Sequence, residues 1–412
     1  MIVCKFGGTS VANVNNVKNI KKIIKNNENI HFVVVSALGK SERFNKKVTD
    51  ELYECFYIYQ SDFTKACSIL NNIFQKYITL SNLLNVKIDF SKDQNIILNY
   101  LKNGITKEYL VSRGEYLSAK LFSKYLKCQF LDAKDYIIFK NDGTLNFGKT
   151  KCRLSKLNKS KKYVIGGFYG ATLNGEIKTF SRGGSDITGA IISKLLSAEI
   201  YENYTDVNGV YNKNPNIFKG AENLPILNFK TACQMAEAGN EVVHKDALSV
   251  LKGTKTILLV KNTSNINEFG TTLVNSNYIF DDMYVCLSKQ KLLCVGNNNL
   301  DLVKNLRHYA EIKNIISHEG KLFILTNEIY ISEEELLKKL NINFISEICK
   351  FSIFSNVVID KKNIKKLAKI QINVKKISIL CKYLSFNNNF IIICKNDDQQ
   401  KVINILNKYL QR

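Results

Sequence analysis

The sequence predicts an α/β protein, with a mostly parallel buried sheet flanked by helices and then, from about residue 275, two small α+β modules. Three observations point there. Phe32-Val33-Val34-Val35 is a continuous apolar run ending at Ser36, the pattern of a strand covered on both faces in a parallel sheet. Strand-like runs pass into glycine turns and helical patterns, as at Ile2–Phe6 before Gly7-Gly8 and Val164-Ile165 before Gly166-Gly167. Beyond Asn275 the segments shorten and alternate strand, helix, strand, twice over. At 412 residues the chain can bury a full core in two or more domains.

Composition narrows the function. Hydrophobic residues make up 45% and charged residues 23%, a globular balance. No apolar run approaches a membrane span, and the start meets Lys5 too early for a signal peptide, so a cytoplasmic protein without a membrane partner is expected. The net charge of +23 raises nucleic acid as a partner. The lysines are scattered among asparagines and isoleucines with no aromatic-interleaved basic motif, so solvated surface is the expected reading. Eleven cysteines show no C-x-x-C, and Cys67, Cys286, Cys294, Cys381 and Cys394 sit in apolar surroundings, as reduced core residues do. The four histidines form no metal pattern, so no direct protein ligands to a metal are expected.

In chain order, Ile2, Val3, Cys4 and Phe6 form a short strand, Gly7-Gly8-Thr9-Ser10 turn, and Val11, Val14, Val17, Ile20 and Ile23 line one helical face. Lys5 just before Gly7-Gly8 is an arrangement for phosphoryl oxygens, since glycines let the backbone approach and the lysine supplies a point charge. A surface lysine before a turn is the plainer reading of that segment alone. Ser36 falls at a strand's carboxyl end, where open α/β sheets bind ligands. Helical segments run from Thr49 to Leu84. Ser112-Arg113-Gly114-Glu115 precedes a helical face of Leu117, Leu121, Phe122, Tyr125 and Leu126, so Glu115 is expected at a helix start, either as a dipole partner or holding an ammonium group.

The chemistry concentrates in Thr179-Phe180-Ser181-Arg182-Gly183-Gly184-Ser185-Asp186-Ile187-Thr188-Gly189-Ala190, which opens an amphipathic helix. A glycine turn at a helix N-terminus suits an anion, and Arg182 can grip a carboxylate or phosphate through two bonds. Asp186 is out of place there unless it organises a lysine or a metal. An ordinary strand-to-helix turn is the competing structural reading. Further on, Thr205 and Asp206 end a strand with groups suited to a ribose or base edge, with Tyr211 to cover the ring.

Together these motifs resemble the aspartokinases. Lys5-Phe6-Gly7-Gly8-Thr9-Ser10, Val35-Ser36-Ala37, Ser112-Arg113-Gly114-Glu115, Ser181–Asp186 and Thr205-Asp206-Val207-Asn208-Gly209-Val210-Tyr211 follow that family's order and spacing, with Val48-Thr49-Asp50 closing a loop found in one branch. The resemblance implies an amino-acid kinase fold over residues 1–275, a three-layer αβα sandwich, and a regulatory region at 276–412 of two ferredoxin-like ACT modules, the first degenerate. It implies ATP-dependent phosphorylation of the L-aspartate side chain to 4-phospho-L-aspartate, opening lysine, threonine and methionine biosynthesis, with Mg²⁺ arriving on ATP. By the same resemblance Ser36, Thr49, Glu115, Arg182 and Ser185 hold aspartate. Lys5 neutralises the transferring phosphoryl group, and Asp186 orients Lys5 or the Mg²⁺ shell. Gly7, Gly8, Thr9, Thr205, Asp206 and Tyr211 hold the nucleotide. Lysine or threonine is the implied effector, and a homodimer or tetramer the implied assembly. Asn216 and Glu241 stand where the family carries basic residues on the ATP side. With the eroded first module, Asn216 leaves open a second reading, a decayed subunit that binds amino acids without turnover.

Overall fold

The computed structural model describes residues 1–180, 183–240, 242–275, 283–296, 300–307, 309–318, 321–329, 333–340, 344–355, 361–375, 377, 380–382 and 389–410. The chain forms two compact units, one from Met1–Val210, Asn223–Ala236 and Glu241–Tyr278, the other from Tyr211–Glu222, Glu237–Asn240 and Ile279–Arg412.

The first unit contains strands β1 (Ile2–Phe6), β2 (Ile30–Val35), β3 (Gln129–Leu131), β4 (Ile138–Phe139), β5 (Tyr163–Gly166), β6 (Tyr169–Thr172), β7 (Ile177–Thr179), β8 (Ile200–Thr205), β9 (Ile226–Asn228), β10 (Ile257–Asn262) and β11 (Thr271–Val274). Its helices are α1 (Gly8–Ala12), α2 (Val14–Asn26), α3 (Val48–Ile58), α4 (Phe63–Leu83), α5 (Ser91–Asn103), α6 (Lys107–Leu126), α7 (Ala133–Tyr136), α8 (Phe147–Leu154), α9 (Gly184–Leu195), α10 (Phe229–Glu237) and α11 (Lys245–Leu251). Eight strands make the main sheet, in the order β3-β5-β2-β1-β8-β10-β11-β9, and β4, β6 and β7 form a small second one. Within the main sheet only β10 and β11 run antiparallel to each other. The expected mostly parallel α/β architecture is what the chain adopts.

Because successive strand side chains alternate, β1 serves two layers at once. Cys4 and Phe6 join Val33 and Val35 in a core with Val17, Ile20 and Ile24 of α2 and Leu117 and Leu121 of α6. Lys5, between them, turns to the other face and meets Asp186 of α9. The shared direction of β1, β2, β5, β8 and β10 gathers Gly7, Ser36, Gly167, Asp206 and Thr263, which follow these strands, along one edge of the sheet.

Two local expectations change. The face from Val11 to Ile23 belongs to two helices, because Asn13 is extended and its side chain accepts from the backbone N–H groups of Asn15 and Asn16, starting α2 afresh. Glu115 lies in the interior of α6, which starts earlier: Thr106 caps it at Tyr109 N, and Leu110 and Val111 extend the buried face backwards. The dipole account of Glu115 therefore fails, and Glu108 holds the first-turn acidic position. Gly114 has a packing reason, since a Cβ there would lie 2.7 Å from the Ala37 Cβ.

The second unit is a six-stranded antiparallel sheet of β12 (Met283–Gly296), β13 (Ala310–His318), β14 (Lys321–Ile329), β15 (Phe344–Ser355), β16 (Leu380–Lys382) and β17 (Asn389–Lys395), ordered β13-β14-β12-β15-β17-β16. Its helices are α12 (Leu300–Leu306), α13 (Glu333–Leu340), α14 (Lys361–Lys375) and α15 (Gln399–Tyr409). Leu293, Leu322 and Ile324 pack with Val303, Leu306, Leu336 and Leu340 of α12 and α13. Phe351, Ile353 and Ile392 pack with Ile370, Val374, Val402 and Leu406 of α14 and α15, and with Phe218 from the 211–222 segment. The short segments that the alternation in the tail predicts merge here, for Tyr284–Leu287 and Leu292–Val295 lie in one strand, β12, paired with β15 from Met283↔Ser355 to Cys294↔Phe344, which fuses the sheets of the two modules.

Cys286, Cys349 and Cys394 are buried thiols, as are Cys4 and Cys55. Burial pushes Cys286 and Cys394 up to about 12, so both stay protonated and behave as core residues. The side chains of Cys294 and Cys381 lie outside the description. Among the described residues no helix is long and apolar enough to cross a membrane.

Candidate active site

Lys5 and Asp186 form the centre. The Lys5 Nζ lies 2.6 Å from Asp186 Oδ1, with each side chain only 11% exposed. A buried pair needs its remaining polar atoms satisfied, because removing charge from water is expensive. Asn203, fully buried and paired in register with Lys5 across β1 and β8, donates from Nδ2 to Asp186 Oδ1 at 3.1 Å. Its Oδ1 accepts from Lys5 Nζ at 3.3 Å. On the other side the backbone N–H of His244 donates to Asp186 Oδ2 at 3.1 Å, just before α11. The Tyr201 hydroxyl donates to the Asp186 carbonyl at 3.1 Å.

The turn into α9 is held by Gly183, whose φ is +60° and whose place beside His244 leaves no room for a side chain: a Cβ there would lie 2.3 Å from His244 Cγ. Ser185, one residue before Asp186, accepts a hydrogen bond from the Ser36 hydroxyl at 2.9 Å. Gly39 N donates to Gly8 O and Val48 N to Leu38 O, each at 2.9 Å, which stitches the turn after β1 to the loop after β2. Thr49 thereby sits half-buried in the first turn of α3, tethered near Leu38.

Glu115 is buried, and its Oε2 has no hydrogen-bond partner among the described residues. Burial pushes its pKa up to about 8, opposed by backbone hydrogen bonds at Ala37 and at Glu115 itself and by the Arg113 charge. Ala37, whose backbone acts on this carboxyl, directly follows Ser36 in the chain. At the far end, Gly7 N donates to Tyr204 O at 3.1 Å, so Gly7, Gly8 and Thr9 start beside Thr205. The Thr205 hydroxyl donates to Asp206 Oδ1 at 3.1 Å on an exposed surface.

The structure thus brings Lys5, Gly7, Gly8, Ser36, Glu115, Ser185, Asp186 and Thr205 to one edge, with Thr9, Thr49 and Asp206 on the adjoining turns. Tyr211 opens the segment that folds with the second unit. Arg182, Ser181 and Glu241 lie outside the described residues. Asn216 is exposed, its N–H bonded to Asn214 Oδ1. Sequence reasoning passed over Asn203 and His244. Residue type gave no signal for either, since Asn203 stands beside Glu202 in the same strand and its place opposite Lys5 comes from register. A depression of about 720 Å³ lined by Lys21, Lys25, Lys127, Lys161 and Lys162 lies at the opposite edge, where β3 and β5 begin, away from this chemistry.

Such an edge holds a cation fixed by a carboxylate, the glycine turn that follows β1, and a second carboxyl short of a partner among the described residues, an arrangement able to bind and align charged groups. The model of the amino acid kinase family matches residues 1–262. Aspartokinase 3 of Bacillus subtilis is 30% identical over 290 residues, covering 67% of this chain, and the chain spans 64% of that curated relative's length. Among solved structures, the aspartate kinase of Clostridium acetobutylicum superposes with a TM-score of 0.77 at 25% identity, covering 100% of both chains. E. coli aspartokinase III, in complex with aspartate and ADP, shares the fold at a TM-score of 0.78 and 20% identity, covering 100% of this chain and 99% of its own. With a family match across most of its length and a fold shared with solved relatives over all of it, the chain belongs to the amino acid kinase family.

Proposed function

We propose that this amino acid kinase transfers the γ-phosphoryl group of ATP to the side-chain carboxylate of L-aspartate, giving 4-phospho-L-aspartate for lysine, threonine and methionine biosynthesis in the cytoplasm. One observation carries the reading. Three polar groups lie in series along one edge of the sheet, from the Glu115 oxygen without a partner among the described residues, by the Ser36–Ser185 hydroxyl pair, to the buried Lys5–Asp186 pair. An α-amino acid matches its two ends: the ammonium group supplies the positive charge Glu115 lacks, and the reacting carboxylate reaches toward Lys5.

In this reading Ser36, Thr49, Ser185 and Arg182 complete the aspartate site. Gly7, Gly8 and Thr9 face the phosphates, and Thr205, Asp206 and Tyr211 hold the nucleoside. A carboxylate acceptor is already ionised near neutral pH, so no general base is required. Alignment and charge stabilisation by Lys5 then supply the rate. Mg²⁺ neutralises the phosphates when bound with ATP. Among the described residues no group of three or more His, Cys, Asp or Glu side chains forms a metal cluster. Both Asp186 oxygens are already hydrogen-bonded, which fits that carboxylate acting through Lys5. We assign residues 1–275 the catalytic role and 276–412 the regulatory one, as a fused ACT-like pair serving a homo-oligomer and a lysine or threonine effector.

The test is aspartate-dependent formation of an acyl phosphate, trapped with hydroxylamine, beside a Lys5→Ala control. Turnover with aspartate but not glutamate, reduced about 10²- to 10³-fold in the control, is expected. A folded chain that binds aspartate without turnover would replace this reading with that of an amino-acid-binding subunit.

A further inference from the structure

Asp186 has two jobs that conflict. It pairs with Lys5, yet Lys5 must share its charge with a phosphoryl group during transfer. A buried carboxylate whose only partner turned away would be left uncompensated, at a penalty of several kcal/mol. Here it is not left so. Asn203 Nδ2 donates to Asp186 Oδ1 and the His244 N–H donates to Oδ2, one neutral donor for each oxygen, independent of Lys5. Asn203 also offers Lys5 its Oδ1 from the facing position on the neighbouring strand.

We infer that Asn203 is a positioning residue for phosphoryl transfer: it aims Lys5 and keeps Asp186 fixed and ionised while Lys5 is engaged by phosphate. This rests on the kinase activity proposed above. An amide suits the position because it presents an acceptor to the cation and a donor to the anion on one rigid plane. Being fully buried, Asn203 does not exchange these bonds for water. The groups at this carboxylate are Lys5 from β1, Asn203 from β8 and His244 ahead of α11, whose ring packs against Gly183, while the Tyr201 hydroxyl of β8 donates to the Asp186 backbone carbonyl.

Two variants test it. Asn203→Leu keeps the volume and removes both polar bonds. Its kcat is expected to fall by about 10- to 100-fold, as for a misaligned reacting group, with the KM for aspartate nearly unchanged. Asn203→Asp keeps the shape but sets an acceptor where the donor stood, opposite the Asp186 carboxylate. Two carboxylates this close share a proton, so one titrates upward, and only its protonated form restores the donor. The folded variant therefore holds a proton that the unfolded chain loses. Its melting-temperature deficit against the parent chain shrinks as pH falls from about 9 to about 6, and its relative kcat rises over the same range.

A parent-like kcat in Asn203→Leu, or an Asn203→Asp deficit independent of pH, overturns the inference. If the parent chain does not phosphorylate aspartate, the activity reading and the transfer role of Asn203 are lost together. The melting-temperature comparison then decides whether Asn203 holds Asp186.

Discussion

Two buried carboxylates, Asp186 and Glu115, serve the same edge of the sheet in opposite ways. Asp186 is fully supplied, with an ammonium at 2.6 Å, an amide N–H at 3.1 Å and a backbone N–H at 3.1 Å. Among the described residues Glu115 keeps one oxygen without a hydrogen-bond partner, and burial raises its pKa to about 8. The contrast separates two strategies. In one the protein supplies the compensating charge, and in the other burial keeps the carboxyl protonated and leaves an oxygen for the ligand of the proposed function to meet.

The strongest way to break the comparison is Asp186→Ala. It strands the Lys5 ammonium in a dry site and is expected to destabilise the fold by about 3–5 kcal/mol, read from the urea midpoint, along with loss of turnover. A destabilisation below about 1 kcal/mol would mean water already supports Lys5. Glu115→Gln should behave differently. The folded chain holds the Glu115 proton up to about pH 8, whereas the unfolded chain loses it near 4.5, so the folded state binds more protons between these values. Stability contributed by Glu115 is therefore present at low pH and is lost as pH rises from about 4.5 to about 8. The Gln variant should lack that slope in its melting temperature while raising the KM for aspartate about 10-fold or more, the loss of one charge-assisted bond. A slope that persists in Glu115→Gln would assign it to another group. The smallest effect is expected from Ser36→Ala, about 0.5–1.5 kcal/mol for the bond to Ser185, with a modest rise in aspartate KM.

The comparison also marks what the sequence disclosed. Lys5, Ser36, Ser185 and Asp186 were legible because glycine turns after apolar strands announce where a sheet binds its ligands. Asn203 and His244 were not, because their roles come from register and from a backbone N–H, neither of which a residue type reveals. Only the pairing of β1 with β8 sets Asn203 opposite Lys5. Glu115 was singled out by its motif and placed wrongly on its helix. The periodic face was counted from Leu117, while the cap at Thr106 begins the helix earlier. In the tail, strand and helix alternation was visible, but the joining of β12 to β15 into one sheet depends on pairing between distant residues.

Phe218 carries a last consequence. It lies well before residue 275 in the chain, yet its ring packs among Phe351, Ile353 and Ile392 in the core of the second unit, 6.4 Å from the Phe351 ring centre. Inheritance of the two units is therefore linked. A recombination that exchanged everything after residue 275 with a relative's tail would leave the 211–222 segment facing a core it did not evolve with. A fragment ending there would expose that aromatic ring to solvent. Crossovers tolerated over evolutionary time should carry residues 211–222 together with the tail, so that descent follows packing and not position along the gene.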